Sequence, residues 1–251
     1  VLQQVHDLGT LAVSLLVLAA FLVGFAKTGV SGVGTVSAAL FALVLPARAS
    51  SGAMLPLLIV GDLVAVGTYR RSGSWRVLAR VLPAVLPGLA AGWVFIDHVD
   101  DTVMKATIGT IVVVLVLLAL WQGRSDLTAR VAGHPGFAVA AGFLAGFATM
   151  TANAAGPVMA IYLVAAGMPK LQMLGTTAWF YLVVNLLKVP LSVSLGLIHP
   201  ASLLLDLALV PALLLGAWAG VRVAARMDQR TFELAALLLS LVAGVLLLVT
   251  L

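Results

Sequence analysis

The sequence predicts an all-α polytopic membrane protein made of two inverted repeats, each with a broken helix or re-entrant pair. Three observations predict it. Hydrophobic residues fill 63% of the 251 positions and charged residues 9%, with a mean hydropathy of +1.19, far outside the range of soluble domains. Apolar runs of about twenty residues, enough to cross roughly 30 Å of hydrocarbon, recur along the chain. The two halves also match one another in order, while the charges of their loops trade places.

The first element, 8–45, is apolar but interrupted by "KTGVSG". Around that point Gly24, Gly29, Gly32 and Gly34 stand with Lys27 and the hydroxyl residues Thr28, Ser31 and Thr35, where a lipid-facing helix would be uniformly apolar. Continuous spans follow near 53–68, 78–96 and 103–121. A stretch containing Arg124 and Arg130 leads to a second interrupted region, 137–166, broken by "TMTANAAGP". Spans near 173–195, 202–221 and 232–251 complete the chain. Residues 1–122 thus form a first membrane repeat, 123–135 a cytoplasmic connecting loop, and 136–251 a second, inverted repeat.

The repeat rests on ordered matches. Phe21, Leu22, Gly24, Phe25 and Ala26 recur as Phe143, Leu144, Gly146, Phe147 and Ala148; Gly34 matches Gly156, and Pro46 matches Pro169 with one residue of slippage. Further on, Asp62 aligns with Asn185, Pro83 with Pro211, Gly88 with Gly216, Gly92 with Gly220 and Asp100 with Asp228. Loop charge gives orientation. Arg70, Arg71, Arg76 and Arg80 follow the second element of the first half, and Asp97, Asp100 and Asp101 oppose Lys105 in the next loop. In the second half "GLIHPA" is nearly uncharged, and Arg222, Arg226 and Arg230 follow it. The positive-inside rule then turns the halves upside down relative to one another and places both termini away from the cytoplasm.

Several classes are excluded or disfavoured. Cysteine is absent, which removes disulfides and thiolate ligands, and no metal or cofactor is expected. The net charge of +5 sits in a few loops, so a nucleic-acid partner is not expected. The first ten residues lack the pattern of a signal peptide. No sequence feature sets the oligomeric state, a homodimer included.

Matching interruptions in inverted halves are the signature of a secondary transporter whose site lies where the halves meet. Glycine leaves the backbone unwound, so that N–H groups and helix N-termini can face an anion. Hydroxyls, amides and a lysine add donors. Thr28, Ser31, Thr151 and Asn153 are the expected direct contacts, with Gly32 and Gly156 allowing close approach and Lys27, Gly34 and Thr149 beside them. Close helix packing is the alternative for Gly24, Gly32 and Gly34. Asp62 and Asn185 are equivalent intramembrane polar residues; Asp62 is a candidate for proton coupling or else a partner in an interhelical bond. Lys188, three residues from Asn185, faces the same side and offers either a second positive charge or a partner for Asp62. Asp206 and Arg222 are expected to snorkel or cap, Trp93, Trp121 and Trp218 to lie in interfacial belts, and Trp179 and Tyr181 to pack, with cavity lining as the alternative.

The Gly-rich interruption, its repeat, the turn at Leu45-Pro46, and "LPGLAAGW" and "LLLGAWAG" together resemble the sulfite exporter (TauE/SafE) family, also called the toluene-sulfonate uptake permease family. The resemblance covers nearly the whole chain. It implies transport of small anionic sulfur compounds (sulfite, sulfonates, sulfoacetate-like molecules) across the bacterial inner membrane, most simply as export, and it assigns 27–34 and 149–156 to the substrate. Two other functions are the alternatives: an anion channel with a polar cavity between the repeats, and, more remotely, an intramembrane serine protease suggested by "GVSG". The protease needs a base beside Ser31, whereas His6, His98, His134 and His199 all fall in loops or at chain ends.

Overall fold

The computed structural model describes residues 9–30, 33–45, 47–98, 100, 134–198 and 200–249, with scattered positions between 102 and 117. Among these residues every regular element is helical: α1 Thr10–Thr28, α2 Val33–Val44, α3 Ala47–Tyr69, α4 Trp75–His98, α5 Pro135–Ala152, α6 Ala155–Ala165, α7 Lys170–Ser194, α8 Pro200–Arg226 and α9 Gln229–Val249. A short 3-10 turn, Arg70–Ser72, joins α3 to α4. The described positions between 102 and 117 are helical as well. In hydrocarbon each main-chain polar group needs an internal partner, and an apolar helix supplies one within its own segment.

Among the described residues six helices are long and apolar enough to cross a membrane: Thr10–Thr28, Gly52–Ser72, Trp75–Ile96, Lys170–Ser194, Leu203–Arg226 and Gln229–Leu246. Five match spans expected from the sequence. The expected span at 103–121 falls largely outside the described residues, as does the connecting stretch with Arg124 and Arg130. The sixth, α1, is the first arm of the first interruption, which is therefore unequally divided. Its partner α2 has 12 residues and α6 has 11, about 18 and 17 Å of helix, too short to cross. Each interrupted region is thus a longer arm followed by a short one. In the first, Ser37 donates to the Ala19 carbonyl at 2.7 Å and a Cβ on Gly34 would touch Ala26, so α1 and α2 fold back on one another.

Glycines set how the arms are held. A Cβ on Gly24 would overlap the Leu213 carbonyl, and one on Gly216 the Phe21 carbonyl. A Cβ on Gly146 would overlap the Val85 carbonyl, and one on Gly88 the Phe143 carbonyl. The α1–α8 and α4–α5 pairs therefore meet backbone to backbone, as small residues permit in membranes. Gly24 has this packing role. A Cβ on Gly220 would likewise overlap the Phe25 carbonyl and one on Gly142 the Val81 carbonyl; from Phe21–Gly216 to Phe25–Gly220, and from Val81–Gly142 to Val85–Gly146, residue numbers rise together, so the partners run parallel. The contacts use sequence-matched positions: Phe21 and Phe143, Gly24 and Gly146, Gly88 and Gly216.

Helices α3 and α7 lie between these pairs and run antiparallel. Gly52 abuts Leu197, Asp62 meets Asn185, the Ser74 amide donates to Thr176 Oγ1, and the Trp179 indole donates to the Arg70 carbonyl. Arg76 and Arg80, read from sequence as loop residues, lie exposed on the first turns of α4. The matched pair Asp100 and Asp228 has one job. Asp100 Oδ1 accepts from the Val103 amide at 2.8 Å and Asp228 Oδ1 from the Thr231 amide at 3.3 Å, each capping the start of a helix. Thr231 holds the exposed Asp228 carboxyl below its usual pKa.

Candidate functional site

Both interruptions end a helix that cannot finish its own hydrogen bonding, and each does so differently. At the first, the Gly29 amide still donates to the Phe25 carbonyl at 2.7 Å. Thr28 Oγ1 then turns to the Ala217 carbonyl of α8 at 2.7 Å and to the Gly24 carbonyl at 3.1 Å. The Tyr69 hydroxyl donates to the Thr28 carbonyl at 2.8 Å, fixing the end of α3 to the break. At the second, Asn153 adopts φ 52°, the left-handed conformation that ends helices. Its amide donates to the Thr149 carbonyl and that of Ala154 to the Ala148 carbonyl. Helix α6 then starts with Gly156 and Pro157 in its first turn, where a missing N–H costs nothing.

Two lysines stand at these helix ends. Lys27, in the last turn of α1, has a side chain only 9% exposed, and its Nζ lies 2.7 Å from Asp62 Oδ1 on α3. The same ammonium sits 4.1 Å from the centre of the Tyr181 ring, a cation–π contact in a dry setting. Lys27 therefore does not reach for the membrane interface. Lys188, on α7, is buried; its Nζ donates to the Thr149 carbonyl at 2.7 Å and to Asn153 Oδ1 at 2.5 Å. Thr149 Oγ1 lies 3.5 Å away. Each lysine thus ties the end of an interrupted helix to the long helix that follows. In the first half the lysine is on the interrupted arm, and in the second it is on the following helix.

Asp62 and Asn185 connect the two ends. Asn185 Nδ2 donates to Asp62 Oδ2 at 2.6 Å, so one carboxylate takes Lys27 on one oxygen and the opposite half's amide on the other. Asp62, Asn185 and Lys188 are buried, and Lys188 lies within electrostatic reach of both Lys27 and Asp62. With both lysines protonated and Asp62 ionised, two ammonium groups against one carboxylate leave this cluster with one formal positive charge. The Tyr181 hydroxyl, on the same face of α7, is buried without a hydrogen-bond partner.

The structure thus brings together Lys27, Asp62, Thr149, Asn153, Asn185 and Lys188. Thr28 lies at the same break, but its hydroxyl proton is directed to carbonyls. Thr151 likewise donates to the Phe147 carbonyl at 2.9 Å. Gly34 and Gly156 are partly buried in the first turns of α2 and α6. Ser31 and Gly32 lie outside the described residues. Tyr181, expected from the sequence to pack with cavity lining as the alternative, stands one helical turn before Asn185 and two before Lys188, the spacing that could have placed it here. Asp206 is buried, with neither carboxylate oxygen hydrogen-bonded, rather than snorkelling or capping. Arg222 stacks over the exposed Trp218 ring at 3.5 Å. Trp179 does pack, against Trp75 at 5.1 Å between ring centres. His98 and His134 are exposed at helix ends. Among the described residues no group of three or more His, Cys, Asp or Glu could hold a metal ion.

The sequence profile of the family described as Sulfite exporter TauE/SafE matches residues 16–247, a stretch that contains both interruptions and all the residues of the charged cluster. No curated protein and no solved structure matches the chain.

Proposed function

Since this chain belongs to the TauE/SafE sulfite exporter family and is a multi-pass membrane protein, we propose that it moves small anionic sulfur compounds out across a bacterial inner membrane by alternating access. The observation that carries this reading is the buried cluster with one formal positive charge where the two interruptions meet α3 and α7. A buried charge without a counter-ion is costly, and a bound anion would offset it.

Helix ends support the same polarity. The last carbonyls of α1 and α5 would repel an anion. Lys27 stands in the last turn of α1 and Lys188 bonds the Thr149 carbonyl of α5, offsetting those ends. The N-termini of α2 and α6 then dominate the local field. On this reading Lys27, Lys188, Asn153 and Asn185 hold the anion. Thr149 and the glycines Gly32, Gly34 and Gly156 shape the approach, and Thr28, Ser31 and Thr151 contact the substrate when the breaks rearrange. The antiparallel register of the matched helices α3 and α7 supports inverted halves, the arrangement that lets one site face alternate sides.

Export needs no coupling ion, because an inside-negative potential favours anion exit by roughly 2.3 kcal/mol per charge at 100 mV. Asp62 holds Lys27 and Asn185, and a coupling role for it requires that pair to part during the cycle. Purified protein in liposomes tests the reading. Sulfite or sulfonate flux should saturate and show counterflow, and Lys188→Met should lose both. Flux that rises without limit and lacks counterflow would mean an open pore instead.

A further inference from the structure

We infer that the site selects its substrate by charge, taking singly charged sulfur anions such as sulfonates and hydrogensulfite in preference to doubly charged sulfate-like ions. This rests on the proposed anion site and goes beyond it. The buried ionisable groups in that region are Lys27, Asp62 and Lys188. Among the described residues the other buried carboxyl groups, Asp206 and Glu233, lie apart. Asp206 is seven residues before Leu213, the level of Gly24, or about 10 Å down α8, and Glu233 accepts from Gln229 at the start of α9.

The balance in the cluster is asymmetric. Asp62 is engaged by Lys27 and Asn185, whereas Lys188 donates to neutral groups: the Thr149 carbonyl and hydroxyl and the Asn153 side chain. One negative charge brought here leaves the buried group neutral. A second leaves net charge in a medium of low dielectric, where it is poorly solvated. The Tyr181 hydroxyl is a further observation that points to a ligand. It is a buried donor without a partner, beside the ammonium that stacks on its own ring, and a neutral O–H can serve one oxygen of a tetrahedral head without adding charge.

Methanesulfonate and sulfate have nearly the same size and differ by one charge, which makes them the decisive probes. With purified full-length chain at fixed pH and ionic strength, methanesulfonate should bind at least about tenfold more tightly than sulfate. Asp62→Asn, which raises the cluster by one positive charge, should narrow or reverse that ratio. Tyr181→Phe should weaken methanesulfonate while leaving the ratio in place. Sulfate binding as tightly as methanesulfonate, or more so, to the unaltered chain overturns the charge rule and leaves the anion site standing. Binding of neither anion, to protein whose thermal unfolding is cooperative, overturns both. The wild-type comparison decides the matter even where a variant does not fold.

Discussion

The Lys27–Asp62 pair is the residue on which the stability of this region turns. Its ammonium and carboxylate are 2.7 Å apart with Asp62 fully buried, so removing one partner strands the other. Lys27→Met should destabilise the protein by about 3 to 5 kcal/mol, read as a lower unfolding temperature in detergent. The double change Lys27→Met with Asp62→Asn should recover much of that loss, because it leaves no stranded charge. Equal instability of the single and double variants would show that the pair contributes shape rather than charge balance. Asp228 offers a milder pH test. Its carboxyl is held below its usual pKa by Thr231, so the stability it gives is present at neutral pH and is lost as pH falls through that lowered value. Asp228→Asn should flatten the acid limb of the unfolding profile. The meeting of Asp62 with Asn185 was legible in the sequence, since their alignment put two polar groups at matched depth, while the choice between proton coupling and an interhelical bond for Asp62 was not. The destination of Lys188 was not, because choosing between Asp62 and the second break takes the crossing of α7 with α5, which no linear spacing contains.

Helix pairing is decided by glycines whose missing side chains let carbonyls come close. Gly24→Ala and Gly146→Ala should each lose folded protein, because the added methyl would meet a main-chain carbonyl that cannot step aside. Gly67→Ala, with nothing within 4 Å of the new Cβ, should be neutral or stabilising. Monodispersity on size exclusion and the unfolding midpoint measure both. If Gly24→Ala behaves like Gly67→Ala, the close α1–α8 contact is not a constraint in the folded protein. Sequence alone marked the matched glycines and predicted most of the spans by length. It missed how unequal the arms are, since α1 and α2 share the same apolar composition and only the point of unwinding separates 19 residues from 12.

Across the molecule, the matched helices α3 and α7 run in opposite directions, and the arginine-rich ends should therefore lie on one side of the membrane. Cysteine placed at Gly73 or at Asp228 should be shielded from a thiol reagent confined to the outside of intact cells, and cysteine at Asp100 should react. The absence of native cysteine makes the readout clean. Labelling at Gly73 from outside would reverse the orientation, and labelling at only one of Gly73 and Asp228 would show that the halves are not inverted. Loop charge was enough to state this expectation. The exchange of partners between halves was not legible, because α1 and α8 meet through small and apolar residues and nothing in either sequence names the other.

That exchange has a consequence for synthesis. Thr28 and the Ala217 carbonyl it bonds are separated by 189 residues, so the first hairpin leaves the ribosome long before its seat exists. At 5 to 20 residues per second the interval is roughly 10 to 40 s. Helix α4, by contrast, meets α5 after a connection of modest length. The second break should therefore be seated before the first: Lys27 gains Asp62 only 35 residues later, but α1 must wait in the bilayer for α8 until the chain is nearly finished.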